Sequence, residues 1–322
     1  MRTVSWSSLP SVAGVHTAPA RVGGVERLIG GTPLIPLRRL TRGLRPGVEV
    51  WVKAEWFNPA GSVKARPAWF ILRRALDAGW LRGRRLLDAT SGNTGIAYAT
   101  LAAALGVSVT LAMPANASPE RVAILRGLGA ELVLTDPDAG VDGALDWVQK
   151  QAEQHPDRYY WANQYDNPAN WQAHYATTGP EIVAQTQGRI THLVAGTGTG
   201  GTLMGTGRYL RAVKPEIQVV AVQPTDGEQG LEGLKHMPSA RRVPAIYDAR
   251  FPDRVVRVTA ADAHATVLRL AREEGLFVGL SAGAIVWAAL QVAAQLGTGV
   301  VVAVLPDAGY KYLSGPPWTR GE

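Results

Sequence analysis

The sequence predicts an α/β protein of two domains, each a parallel twisted sheet flanked by helices. Three observations carry this. From about residue 86 onward, short apolar runs alternate with helical periodicities; that rhythm implies parallel strands joined by crossover helices. Two strand-to-helix junctions, 90–95 and 196–202, are built of glycine and small hydroxyl residues. The composition, 322 residues with 46% hydrophobic and 18% charged, supplies ample core and carries no signature of disorder.

Taken in order, residues 1–24 are rich in Ser, Ala, Pro and Val without periodicity and read as an N-terminal arm. A Gly30-Gly31 turn leads into a short strand at Leu34. Residues 48–54 alternate and read as a strand. A turn over Asn58–Lys64 precedes a helix over 66–79, with Pro67 in its first turn. Then come strand 86–89, helix 95–105 and strand 107–113. A helix opens at Ser118-Pro119-Glu120 with a capping serine, a proline just inside and an acid facing the helix dipole. Strand 132–135 and helix 144–154 follow. A helical region over 168–187 is interrupted near Gly179-Pro180. Next are strand 192–195, helix 202–213 and strand 218–223. Residues 224–253 are irregular, the pattern of a functional lid or flap. Strand 255–258, a helix capped at Thr259 with Asp262, strand 277–280, helix 284–296 and strand 300–305 complete the series. The change of character near 155 divides the chain. Residues 46–155 form a smaller substrate-binding domain that carries Lys64 and the 90–95 loop. Residues 25–45 plus 156–322 form a larger phosphate-binding domain, and the site lies between them.

Composition also narrows the function. There are no cysteines, so disulfides, thiolate metal sites and a cysteine nucleophile are excluded. The six histidines show no metal spacing, and His174 and His192, in apolar or aromatic surroundings, read as structural. The net charge is +7, but the arginines are scattered and not interleaved with stacking aromatics. Attraction of small anions is therefore expected, not binding of nucleic acid. No apolar run spans a bilayer, and no basic-then-apolar signal opens the chain. A soluble cytoplasmic protein is expected.

Three stretches carry chemistry. Gly196-Thr197-Gly198-Thr199-Gly200-Gly201-Thr202 follows an apolar strand and opens a helix. Glycines admit an anion close to the backbone, and the helix start adds free N–H groups, so the loop suits a phosphate. It also matches G-x-G-x-x-G at Gly196, Gly198 and Gly201, but Gln223 stands near where a dinucleotide site wants an acid. Thr90-Ser91-Gly92-Asn93-Thr94-Gly95 gathers hydroxyls and an amide at a helix start, a place for a carboxylate or an ordinary cap. Asn58-Pro59-Ala60-Gly61-Ser62-Val63-Lys64 delivers a lysine to a helix start. Lys53 competes for the same role but lies in a strand pattern, where it reads as solvent-facing or supporting.

The order and spacing of these three stretches resemble the fold-type II pyridoxal-phosphate enzymes, which share the tryptophan synthase β-like fold. Within them the chain is similar to the cysteine synthases, or O-acetylserine sulfhydrylases. The likeness runs from about Ile29 to Ser314. Asn167-Pro168-Ala169-Asn170, His174 to Ile182, Gly233-Leu234-Lys235-His236-Met237-Pro238 and Asp307-x-Gly309-x-x-Tyr312-Leu313-Ser314 point to the cysteine synthase B branch. The resemblance implies that Lys64 holds pyridoxal 5'-phosphate as a Schiff base and acts as the catalytic base. Asn93 meets the ring hydroxyl. Gly198, Thr199, Gly200, Gly201 and Thr202 cradle the phosphate, and Ser281 faces the pyridine nitrogen. Thr90, Ser91, Thr94 and Gln164 hold the substrate carboxylate, and Lys235 stands where the branch places a basic residue. Ala65 departs from the aspartate often found after the lysine. The implied reaction is β-replacement on O-acetyl-L-serine or O-phospho-L-serine with a sulfur donor, giving cysteine, in a homodimer. A serine/threonine dehydratase or a cystathionine β-synthase-like lyase is the alternative.

Overall fold

The computed structural model describes residues 24–227 and 231–319; the arm expected at 1–24 lies almost wholly outside them. Two sheets organise the chain. The elements are, in order, β1 (Leu34–Pro36), β2 (Val48–Ala54), α1 (Ala65–Asp77), β3 (Arg85–Ala89), α2 (Asn93–Leu105), β4 (Val109–Pro114), α3 (Pro119–Gly127), β5 (Glu131–Thr135), α4 (Gly140–Gln154) and β6 (Tyr159–Trp161). They continue with α5 (Ala169–Ala173), α6 (Gly179–Thr186), β7 (His192–Gly196), α7 (Gly201–Val213), β8 (Gln218–Pro224), β9 (Arg254–Val258), α8 (Ala260–Arg269), α9 (Leu280–Ala294) and β10 (Gly299–Leu305).

The larger sheet has six strands in the order β1-β2-β10-β7-β8-β9, and the smaller has four in the order β5-β4-β3-β6. All pairings are parallel except β1 with β2, an antiparallel edge. β10 is buried along its whole length. Val301, Ala303 and Leu305 face α8 and α9, while Val300, Val302 and Val304 face α6 and α7. Fully burying each such valine contributes about 1.5–3 kcal/mol, so this valine-rich strand anchors the larger half. The smaller sheet packs against α1, α2 and α3 on one face and α4 on the other.

Several expectations need correction. The domain boundaries at 46 and 155 do not match the sheets. β2 pairs with β10 in the larger sheet, and β6, not foreseen, closes the smaller one. A strand's own residues do not say which neighbour it will find. The strand expected at 277–280 is absent: Val278 makes one isolated bridge to Ala308, and Leu280 already begins α9. The helical region near Gly179-Pro180 is not broken. A widened π turn at His174–Thr178 precedes α6, and Pro180 then falls in its first turn. The caps at Ser118 and Thr259 form as expected, each side chain accepting from the backbone N–H three residues on.

Candidate active site

The C-terminal ends of the parallel strands converge on one cavity, as in other open α/β sheets. From β7 comes the loop into α7, from β3 the loop into α2, and from β10 the segment 306–312. Val63, Lys64, Asn93, Gly198, Thr199, Gly200, Gly201, Thr202, Gly233 and Ser281 line its inner part. Beyond it opens a cleft of about 240 Å³, lined by Ser91, Thr94, Arg121, Gln164, Glu232, Lys235 and Tyr312 among others.

Lys64 is aimed by a strained turn. Ala60 adopts φ 65° and Gly61 φ 62°, a left-handed pair that costs energy at the alanine. The Val63 N–H then donates to Pro306 O at 2.7 Å, and Ser62 bridges to Asp307. The lysine thus sits at the junction of β10 and α1, deep in the molecule yet facing the cavity. Burial pushes its ammonium below the ordinary lysine range, and Asp307 opposes the shift; the net effect favours a nucleophilic amine. Lys53 has no such outlook. It is fully buried, donates to Thr32 O (2.6 Å) and Gln185 Oε1 (2.9 Å), and pairs with Glu181 at 2.7 Å. It is a supporting residue and is not solvent-facing.

The 198–202 loop forms a cup at the start of α7, where backbone N–H groups lack helical acceptors. Gly201 is required by space: a Cβ there would lie 1.9 Å from Asn170 Oδ1. Asn170 Nδ2 donates to Thr199 Oγ1 (3.1 Å) and to Gln164 O (2.6 Å), joining the cup to the carboxylate loop. Thr202 Oγ1 lies 3.3 Å from His174 Nε2. Burial, with the Arg66 charge, pushes His174 down to about 3, so the ring is neutral. This histidine is structural, but it braces the cup directly.

Across the cavity, Ser281 is 2% exposed, lines the wall, and has no hydrogen-bond partner among the described residues. An orphan hydroxyl, a cup of helix-start amides and a lysine of lowered basicity face one another. They match the donor set that a phosphorylated pyridine aldehyde requires.

In the 90–95 loop the expected residues divide. Ser91, Asn93, Thr94 and Gln164 reach the cleft. Thr94 Oγ1 donates to Gln164 Oε1 at 2.7 Å, and Gln164 Nε2 donates to Ala89 O at 2.8 Å. Thr90 does not line the cleft. Its buried Oγ1 accepts from the N–H groups of Gly92 (2.9 Å) and Gly95 (3.1 Å), so it shapes the loop from behind. Lys235 reaches the cleft, 3.7 Å from Asp142.

Other residues at the site were given no role there from the sequence. Asp307 Oδ2 accepts from Asn93 Nδ2 (2.7 Å) and Tyr312 Oη (2.5 Å), while its Oδ1 is buried without a partner. Lys311 donates to Asn93 Oδ1 at 2.8 Å. Arg121 donates to Ser91 O (3.0 Å), ion-pairs with Glu232 and stacks over Tyr312. Only Asp307 and Tyr312 had left a signal, in the C-terminal motif.

The pyridoxal-phosphate dependent enzyme family matches residues 25–307. A cysteine synthase of Aquifex aeolicus is 48% identical over 316 residues, covering 96% of each chain. Cysteine synthase B of Escherichia coli is 43% identical over 291 residues, covering 90% of this chain and 94% of the relative. The crystal structure of a cysteine synthase from Entamoeba histolytica superposes with TM-score 0.88 at 33% identity, over 95% of this chain and 93% of that one. A match over most of the chain, at such identity and on the same fold, places this protein in the pyridoxal-phosphate dependent enzyme family, among the cysteine synthases.

Proposed function

We propose that the chain replaces the β-substituent of an activated serine, O-acetyl-L-serine or O-phospho-L-serine, with a sulfur nucleophile to give L-cysteine. The observation that carries this is the convergence of Lys64, the 198–202 cup and the unpartnered Ser281 on one cavity that opens into the 91–94 loop. Lys64 Nζ would hold the cofactor's aldehyde carbon, the amides of 198–202 its phosphate, Asn93 its ring hydroxyl and Ser281 its nitrogen. Bound pyridoxal phosphate supplies electron withdrawal from the substrate's α-carbon. Ser91, Thr94 and Gln164 bind the substrate carboxylate, with Thr90 supporting them. Lys64, held at the cavity wall by its turn, would be within reach to act as general base for the substrate's α-proton. Ser281 offers a neutral hydroxyl, not a carboxylate, at the ring nitrogen. That favours a substrate with its own β leaving group over transamination. The reading includes a homodimer in the cytoplasm. Sedimentation tests the dimer; no described helix is long and apolar enough to cross a membrane.

The test is turnover by cofactor-loaded protein given either ester and sulfide. Cysteine is the expected product. Pyruvate released without sulfur incorporation would favour a lyase instead. Lys64→Ala is expected to lose the visible absorbance of the covalently held cofactor and all cysteine formation. Full activity in that variant would remove the assignment.

A further inference from the structure

Besides Lys64, two cations line the outer cleft, and each of these two has a carboxylate of the protein beside it. Arg121 carries an ion pair to Glu232, donates to Ser91 O at 3.0 Å, and lies 4.6 Å from the centre of the Tyr312 ring. Lys235 lies 3.7 Å from Asp142, donates to Arg242 O (3.3 Å), and sits 5.2 Å from the Tyr165 ring centre. The members of the first pair are unequal. The Arg121 side chain is 3% exposed and its Nε is buried without a partner, whereas Glu232 is 42% exposed on the irregular segment after β8. Arg121 is therefore built in, and Glu232 is laid over it from the cleft side.

The arrangement discriminates by charge. A phosphate group entering this cleft meets the Glu232 carboxylate on its wall, and such like-charge juxtaposition disfavours it. An acetyl group carries no charge and meets no such barrier. We propose that Glu232, seated on Arg121, selects O-acetylserine over O-phosphoserine, and that Arg121 is a masked anion site. This rests on the reading of the chain as a β-replacement enzyme for activated serine. Glu232 and Arg121 are specificity-determining residues in it, and Lys64 remains the base.

The experiment compares kcat/KM for the two esters in wild type, Glu232→Gln, and Glu232→Gln with Arg121→Gln. Calorimetric titration of each cofactor-loaded protein with inorganic phosphate is the second readout. Glu232→Gln is expected to raise the phospho-to-acetyl ratio by roughly tenfold or more, and to tighten phosphate binding in step. Removing Arg121 as well is expected to abolish both gains. An unchanged ratio in Glu232→Gln overturns the proposal. So does a gain that survives loss of Arg121, or an equal gain from the surface change Asp77→Asn, which would mark a bulk charge effect. If wild type turns over neither ester, the functional reading fails, and phosphate binding alone reports whether Glu232 masks Arg121.

Discussion

Lys311 is a buried ammonium with every donor in use. It donates to Ala60 O (2.7 Å), Gly61 O (3.1 Å) and Asn93 Oδ1 (2.8 Å), at 1% exposure. It thus holds the left-handed turn that aims Lys64 and the first residue of α2 at one point. Burial pulls its pKa down to about 8, against the attraction of Asp307. Lys311→Met leaves two carbonyls and an amide oxygen without their donor, so a loss of about 3 kcal/mol is expected in urea denaturation. Weaker retention of the cofactor should accompany it, read from visible absorbance. This residue also shows the limit of the sequence. Lys64 stood out because its turn and helix start form a local motif on which the family resemblance rests. Lys311 and Asn93 meet across 218 residues, and Asn93 and Asp307 across 214. No spacing announces such a meeting, so neither Lys311 nor Arg121 stands out in the sequence.

Among elements, the junction of β7 and α7 was the most legible, because glycines and threonines at a helix start have a direct physical use. Its prediction is Gly201→Ala. The added methyl must displace Asn170, the side chain that ties the cup to Gln164. Overpacking of this kind costs about 1–3 kcal/mol, expected as weaker cofactor binding when apoprotein is titrated with pyridoxal phosphate. Unaltered affinity would show that the cup tolerates the methyl. Other elements were less legible for stated reasons. β6 is three residues, too short for a period to show. Phe277–Leu280 is apolar enough for a strand, but it runs directly into α9. The pattern of β2 was correct while its sheet was not, since hydrophobic alternation encodes a face and not a neighbour.

At the scale of the molecule, a buried charge network joins the two halves. Arg66 on α1 bonds Glu55 through Nε (2.7 Å) and Nη2 (2.8 Å) and Glu181 on α6 through Nη1 (2.7 Å), and Lys53 on β2 joins Glu181. Burial would raise Glu181, but Arg66 and Lys53 together hold it down to about 2. A carboxyl depressed in the folded state contributes stability that is present above its unfolded pKa and lost as pH falls through the folded value. The seam should therefore weaken between about pH 4.3 and pH 2. Glu181→Gln is expected to cost about 3 kcal/mol at pH 7, with the gap to wild type narrowing across that acid window in denaturation curves. A gap constant with pH would assign the loss to packing.

The position of β10 has one more consequence. The central strand of the larger sheet is the last to be translated, and the segment after it supplies Asp307, Lys311 and Tyr312 to the cavity. A nascent chain still on the ribosome therefore has a gap between β2 and β7 and no finished pocket. Cofactor capture is thus expected to await the completion of β10 and of the wall that follows it.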